Sequence, residues 1–405
     1  MKIIERGVYL DKIFHHLGKD MIIILTGQRR VGKSYLLRSL RNKLIENSDN
    51  NIIFIDKEKK EFDSIHNYTE LNAFIDKNRK KEVKNFVLID EVQDIENFEK
   101  TLRAYYEEED MELIVTGSNS KLLSSELSSI IGGRYKEIYI QSLNYEEFLT
   151  FHNLPDDDES LSKYLKFGGL PGLIRTGLQE DDVLEYQDDV LNTVLLKDII
   201  LRHQIRNVSF LHNLIHYLAD NTGKLISASN LAKYMKSNNN IVSVGVILNY
   251  LSYICESFIT KKVNRYDIHG KRLFENNEKF YFQDIGIRNS LLRGQRMFDI
   301  EKVIENAVYN HLIFLGYSVT VGQLRNKEID FIANKNGKDP IYVQVAYLIA
   351  GEETYRREFG NLQEIKDNYP KYVISMSPLI ENSNDEGIRH ISLRQFLKTK
   401  SDFYK

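Results

Sequence analysis

Sulfur chemistry is nearly absent from this chain, which holds one cysteine, Cys255, among 405 residues. A single thiol forms no disulfide within the chain and leaves a thiolate zinc site without ligands, so a reducing compartment fits best. Tryptophan is missing altogether, yet 24 Tyr and 20 Phe supply bulky material for several cores. Neither charge dominates: 55 basic residues stand against 58 acidic ones, a net charge of −3. That balance excludes a generally basic nucleic-acid binder and leaves room for a local basic surface. No apolar stretch reaches the ~18–20 residues of a bilayer span, and M-K-I-I-E-R-G-V-Y-L at the N-terminus lacks the apolar run of a signal peptide. A soluble cytoplasmic protein without membrane contact is expected, built from roughly two to four domains.

What the chain does contain is concentrated first at residues 21–40, M-I-I-I-L-T-G-Q-R-R-V-G-K-S-Y-L-L-R-S-L. A short apolar run, Ile22 to Leu25, reads as a strand, and a helical pattern opens at Lys33. Between them lies G-x-x-x-x-G-K-S, the pattern of a phosphate-binding loop. Gly27 and Gly32 let the backbone wrap a phosphate, so that N–H groups around Arg29, Arg30 and Val31 point inward, flanked by Gln28 and Tyr35. Lys33 offers a point charge to the β- and γ-phosphates of ATP, and Ser34 a hydroxyl to Mg²⁺. A second strand pattern, N-I-I-F-I-D over 51–56, separates this loop from K-N-F-V-L-I-D-E-V-Q-D at 84–94. There four apolar residues run into Asp90, expected to hold Mg²⁺, and Glu91, expected to polarise the attacking water. The strand M-E-L-I-V-T-G-S-N-S (111–120) ends in polar side chains able to reach that water. Ser118 is the leading candidate, with Thr116 and Asn119 beside it; a plain turn with a helix cap is the alternative.

Six strings together carry a family resemblance: Y-L-D-K (9–12), T-G-Q-R-R-V-G-K-S, L-I-D-E-V-Q-D, V-T-G-S-N-S, G-G-R-Y and Y-E-E-F-L (145–149). In this combination the chain resembles the prokaryotic AAA-type ATPases of the archaeal-ATPase group, over essentially its whole length. The resemblance implies an α/β protein made of a P-loop AAA-type core with a parallel sheet (1–152), a helical lid (153–215), a winged helix (216–290) and a PD-(D/E)XK nuclease-like α/β domain (291–405). It implies an ATP-hydrolysing, Mg²⁺-dependent enzyme that switches conformation or assembly. It also makes Arg134 a candidate arginine finger toward a neighbouring copy, with a homo-oligomer as partner; pairing of Arg134 with nearby Glu residues is the alternative. F-G-G-L-P-G-L-I-R (167–175) matches the lid element and makes Arg175 a weaker candidate, an ordinary surface arginine being the other reading.

The C-terminal half leaves the partner open. I-S-A-S-N-L-A-K-Y-M-K and I-V-S-V-G-V-I-L-N-Y-L-S-Y-I-C-E-S read as two helices, followed by a hairpin turning at His269 and Gly270. Lys261, Lys262, Arg265, Lys271, Arg272 and Lys279 on that hairpin are candidate phosphate contacts, and Asn238, Asn239, Asn240 and Ser243 candidate base contacts. The apolar face of the second helix suits protein packing equally. Beyond, a nuclease-type site needs a helix Glu, a strand Asp, then Glu or Gln and Lys two residues apart. Glu305 (with Glu301 a turn earlier), Asp330 and Gln344 supply the first three, a candidate second metal site. Ala346 stands where the Lys belongs and neither stabilises charge nor positions water. Lys366, Arg356 and Arg357 are the cations available to replace it. The domain reads as degenerate, with nuclease activity the least favoured of three functions behind a nucleic-acid-linked switch and a protein-interaction switch.

Overall fold

The computed structural model describes residues 4–46, 49–120, 131–237, 242–273, 277–292, 299–349, 352–377, 384–385 and 387–400. Residues 121–130 lie outside these, as do the candidate base contacts Asn238, Asn239 and Asn240. The chain divides into two compact units, Met1–Ser142 with Glu256–Phe258, and Leu143–Cys255 with Ile259–Lys405. Among the described residues no helix is long and apolar enough to cross a membrane.

The first unit is an α/β layer structure. In chain order it holds α1 (Gly7–His16), β1 (Ile22–Thr26), α2 (Lys33–Glu46), β2 (Asn51–Asp56), α3 (Tyr68–Asn78), β3 (Asn85–Asp90), α4 (Phe98–Tyr106), β4 (Met111–Gly117) and β5 (Tyr135–Tyr139). The strands run parallel in the order β2-β3-β4-β1-β5. β1, β3 and β4 are buried along their whole length, which is why their sequences are apolar runs instead of alternations. Ile53, Ile55, Val87, Ile89, Leu113 and Val115 share one apolar cluster with Leu71 and Ile75 of α3 and Leu102 of α4. Each such side chain contributes about 1.5–3 kcal/mol by leaving water. Asn67 starts α3 with a capping box closed by Glu70. The strand that separates the two nucleotide signatures in sequence, β2, is the sheet's edge; β4 is the one that lies between β1 and β3. This order brings the tips of β1, β3 and β4 side by side.

The second unit continues with α5 (Tyr145–His152), α6 (Asp158–Phe167), α7 (Glu180–Val194), α8 (Val208–Asp220), α9 (Ala228–Ser237) and α10 (Val244–Glu256). Then come β6 (Thr260–Val263), β7 (Arg265–Asp267), β8 (Arg272–Leu273), β9 (Lys279–Phe282), α11 (Ile285–Leu291) and α12 (Ile300–Phe314). The chain ends in β10 (Ser318–Leu324), β11 (Lys327–Asn334), β12 (Ile341–Ala346), α13 (Glu352–Gln363), β13 (Lys371–Ser375), β14 (Asn384–Asp385), β15 (Ile388–Ser392) and α14 (Leu393–Leu397). β6 and β9 form a two-stranded antiparallel ribbon, extended by a bridge from Ile226 to Glu278.

The hairpin expected around His269 and Gly270 forms, but it is not a free wing. β7 and β8 pair with each other, and β7 also runs parallel to β10, so the tip is the edge of an eight-stranded sheet ordered β14-β15-β13-β12-β11-β10-β7-β8. Between β10 and β11 the register moves from Thr320 opposite Ile332 to Gly322 opposite Ile329. Three steps on β11 thus match two on β10, a bulge that spans Asp330 and Phe331. Ala346 packs in the core with Phe359 and Leu362 of α13, so its small side chain serves packing.

Candidate functional site

The loop from Gly27 to Gly32 joins β1 to α2 with backbone angles that glycine permits: φ is 145° at Gly27 and 97° at Gly32. A Cβ at Gly27 would run into the carbonyl oxygen of Ile140, so close approach to β5 also demands glycine there. Lys33 opens α2, is buried, and donates to the carbonyls of Gly27 (2.9 Å) and Gln28 (3.0 Å). Its ammonium lies 3.9 Å from Glu91 Oε1. Both amide atoms of the buried Gln28 side chain lack a hydrogen-bond partner.

Asp90 and Glu91 sit at the tip of β3, with Glu91 held at φ 54°. Thr116, two residues before Ser118 at the end of β4, joins them: its hydroxyl donates to Asp90 Oδ1 (2.5 Å) and accepts the Glu91 backbone N–H (2.9 Å). Burial pushes the Asp90 carboxyl up to about 6, against hydrogen bonds from Thr116 and Ser34 that lower it, while Glu91 and Asp56 add to the rise. Asp90 Oδ2 is buried without a hydrogen-bond partner. A hard cation matches that orphaned carboxylate oxygen and the neighbouring Ser34 hydroxyl, both of the donor type that Mg²⁺ takes. Glu91 behaves differently. Burial would raise it, yet Lys33, Arg29 and hydrogen bonds from Gln93 and Ser118 outweigh burial and hold it below the usual carboxylate range. One carboxylate is therefore poised for a metal and its neighbour is kept ionised.

Lys33, Ser34, Asp90, Glu91 and Ser118, named from separate stretches of sequence, thus come together with Gln28 and Arg29, and Asn119 is buried beside Ser118. Arg134 does not join them. Its carbonyl accepts from the N–H of Ile22, at the opposite end of β1 from the loop (3.1 Å). The guanidinium lies over the Tyr106 ring and pairs with Glu107 at 3.4 Å. Sequence reasoning missed Arg6. This buried residue donates to the carbonyls of Val31 (3.0 Å) and Gln141 (2.8 Å), bracing the loop against the end of β5. Flanked by Glu5 and Gly7, it carries no local signal of that role.

In the second unit, Arg175 closes the short turn Pro171–Arg175. Of the basic hairpin residues, Lys262 pairs with Glu278 and Arg272 with Asp267 at the surface, Arg265 bonds Gln323 on β10, and Lys271 is exposed. Ser243 caps α10 through the Val246 N–H. Val244, Val246 and Leu248 of that helix are exposed.

Around the candidate second metal site, Asp330 Oδ2 accepts the Val345 N–H (2.8 Å), and the Asp330 N–H donates to Gln344 Oε1 (3.4 Å). Burial, then Glu305, pushes the Asp330 carboxyl well above its usual range. A cation not foreseen, Lys279 on β9, 2% exposed, pairs with Glu305, while Arg357 pairs with its neighbour Glu358 and also acts on Asp330 through its charge. The surface role of Lys279 as a phosphate contact does not survive that burial.

A family model described as an AAA domain matches residues 19–149, and a second, a domain of unknown function (DUF8612), matches residues 158–297. An uncharacterized protein of Haemophilus influenzae is 33% identical over 403 residues, covering 97% of this chain and 98% of the relative. The uncharacterized protein MJ1544 of Methanocaldococcus jannaschii is 28% identical over 410 residues, covering 97% and 88%. Among solved structures, the RuvB Holliday junction branch migration motor of Thermotoga maritima aligns at a TM-score of 0.35 with 16% identity, over 64% of this chain and 90% of that one.

Proposed function

The chain belongs to the family of AAA-domain proteins that includes its Haemophilus influenzae relative, and from that premise we propose that it binds and hydrolyses ATP with Mg²⁺ at the tips of β1, β3 and β4. The observation that carries this reading is the Thr116 hydroxyl bridging Asp90 and the Glu91 backbone beside Lys33. Mg²⁺ held by Ser34 and Asp90 would supply positive charge to the β- and γ-phosphates. Lys33 exchanges its bonds to the loop carbonyls for phosphate oxygens, and the loop N–H groups bind the rest. Glu91, kept ionised, accepts a proton from the attacking water, while Ser118 fixes the carboxylate's orientation. The unpartnered amide of Gln28 is a further ligand group in the same loop. Arg134, at the far end of β1, serves a neighbouring copy's site.

Phosphate release from ATP and Mg²⁺ tests the reading. Glu91→Gln is expected to lower kcat on the order of 10²–10⁴-fold, and Lys33→Ala to abolish both binding and turnover. Hydrolysis at the wild-type rate in either variant would sink it.

What the engine drives is a conformational switch in the second unit. One observation favours a protein partner over nucleic acid: α10 exposes Val244, Val246 and Leu248, while of the hairpin's basic residues Lys279 is buried and Arg265 bonds Gln323. Duplex DNA is the discriminating addition. Salt-dependent stimulation of hydrolysis would restore the nucleic-acid reading, and indifference to DNA supports the protein switch.

A further inference from the structure

The second cluster of ionisable groups uses none of the ATP-site residues. A divalent cation needs several oxygens converging within ~2.0–2.6 Å of one point. Among the described residues no group of three or more His, Cys, Asp or Glu is placed to hold one. A buried ammonium stands among the carboxylates instead. Lys279 Nζ lies 3.0 Å from Glu305 Oε1 and 2.8 Å from Glu328 Oε1. The Tyr281 hydroxyl, two residues along β9, donates to the same Glu305 oxygen at 2.6 Å.

The surroundings hold the lysine in place. Asn306, next to Glu305 on α12, accepts the Phe282 N–H (2.8 Å) and donates to the Phe282 carbonyl (2.8 Å). Strand β9 is therefore gripped by α12 through main chain as well as side chains. Gly223 closes over Glu305, where a Cβ would come within 2.8 Å of Oε2. β9 is thus held by β6 on one side and by α12 on the other.

We propose that Lys279 is the resident cation of this centre: its ammonium takes the charge-neutralising place of a divalent metal among Glu305, Glu328 and Asp330, closing the centre to metal and locking β9 to α12 and β11. The donor set of a nuclease is then misread from sequence alone, because the charge it needs is met from the hairpin. A buried cation with two carboxylate partners satisfies the requirement that interior charges be paired, with no metal called for.

Manganese titration of the full chain without nucleotide, followed by electron paramagnetic resonance, tests the closure. Wild type and Asp330→Asn are expected to bind the same number of ions. One additional Mn²⁺ in wild type, lost in Asp330→Asn, would overturn the proposal. Stability tests the lock. Lys279→Met leaves buried carboxylates without their counter-ion and is expected to lower Tm on the order of 10 °C. Lys279→Met combined with Glu305→Gln should recover more than half of that fall. A Lys279→Met variant as stable as wild type would equally overturn the proposal. If neither Lys279 variant folds, the manganese comparison still decides.

Discussion

Thr116 shows how one hydroxyl sets two carboxylates to different tasks. It donates to Asp90 and accepts from the Glu91 backbone, so the tip of β4 fixes the positions of both groups on β3. Thr116→Val keeps the shape and removes both bonds. Because a misplacement of about 1 Å costs up to ~10²-fold in rate, kcat is expected to fall about 10- to 100-fold. KM for ATP should move little, since no loop N–H is lost. A change confined to KM in steady-state kinetics would contradict the positioning role. Arg6 acts on the other side of the loop. Arg6→Ala leaves the Val31 and Gln141 carbonyls without their donor, with a cost of about 1–3 kcal/mol. Thermal melts should show that loss, and equilibrium titration with ATP a weaker affinity, because the loop has lost its brace. Arg6→Lys offers fewer donors in a different geometry and should rescue only in part.

At the scale of elements, the phosphate loop and the β3 tip are legible in sequence because each signature is local: an apolar run, then glycines or carboxylates at fixed spacing. Long-range pairing is not written that way. The pattern around His269 and Gly270 reads correctly as a hairpin, but its capture by β10 depends on residues far along the chain, and only the capture shows what its basic residues are free to do. Lys279 is the sharpest case. A lysine on the return arm of a basic hairpin, next to Glu278, reads as surface, and its partner Glu305 lies 26 positions away on another element. Helix α12 carries a related hidden feature in His311. Burial holds its imidazole down at about 4 from the usual 6.5, although the Thr399 and Phe396 carbonyls pull upward. The unfolded chain therefore takes up this proton first as pH falls. Stability is fully kept above about pH 6.5 and declines toward pH 4, by on the order of 3 kcal/mol from this group. His311→Gln retains a donor for the Thr399 carbonyl without titrating. In melts from pH 7.5 to 4.5 it should lose less stability than wild type; parallel curves would show that His311 stays hydrated.

At the scale of the whole molecule, the position of Arg134 decides whether one copy is enough. β1 spans Ile22–Thr26, with Arg134 bonded at its first residue and the phosphate loop following its last. Five strand residues at ~3.3 Å each put about 13–16 Å between the two ends, more than an arginine side chain covers. The guanidinium cannot serve the phosphate held by its own loop. Instead it stands exposed beside Glu107, paired at 3.4 Å in a contact that, at the surface, contributes about 0–1 kcal/mol and is readily exchanged. If Arg134 acts as a finger it acts across copies, and hydrolysis then depends on self-association. Specific activity is expected to rise with protein concentration and then level off. Mixing separates this from a rate effect of folding. Lys33→Ala retains its arginine but holds no ATP, and Arg134→Ala binds ATP but lacks the finger. Each alone should be nearly inactive, whereas an equal mixture should regain activity at interfaces where an intact Arg134 faces an intact loop. Two inactive variants that stay inactive together, while both still associate by light scattering, would assign Arg134 to its Glu107 pair alone.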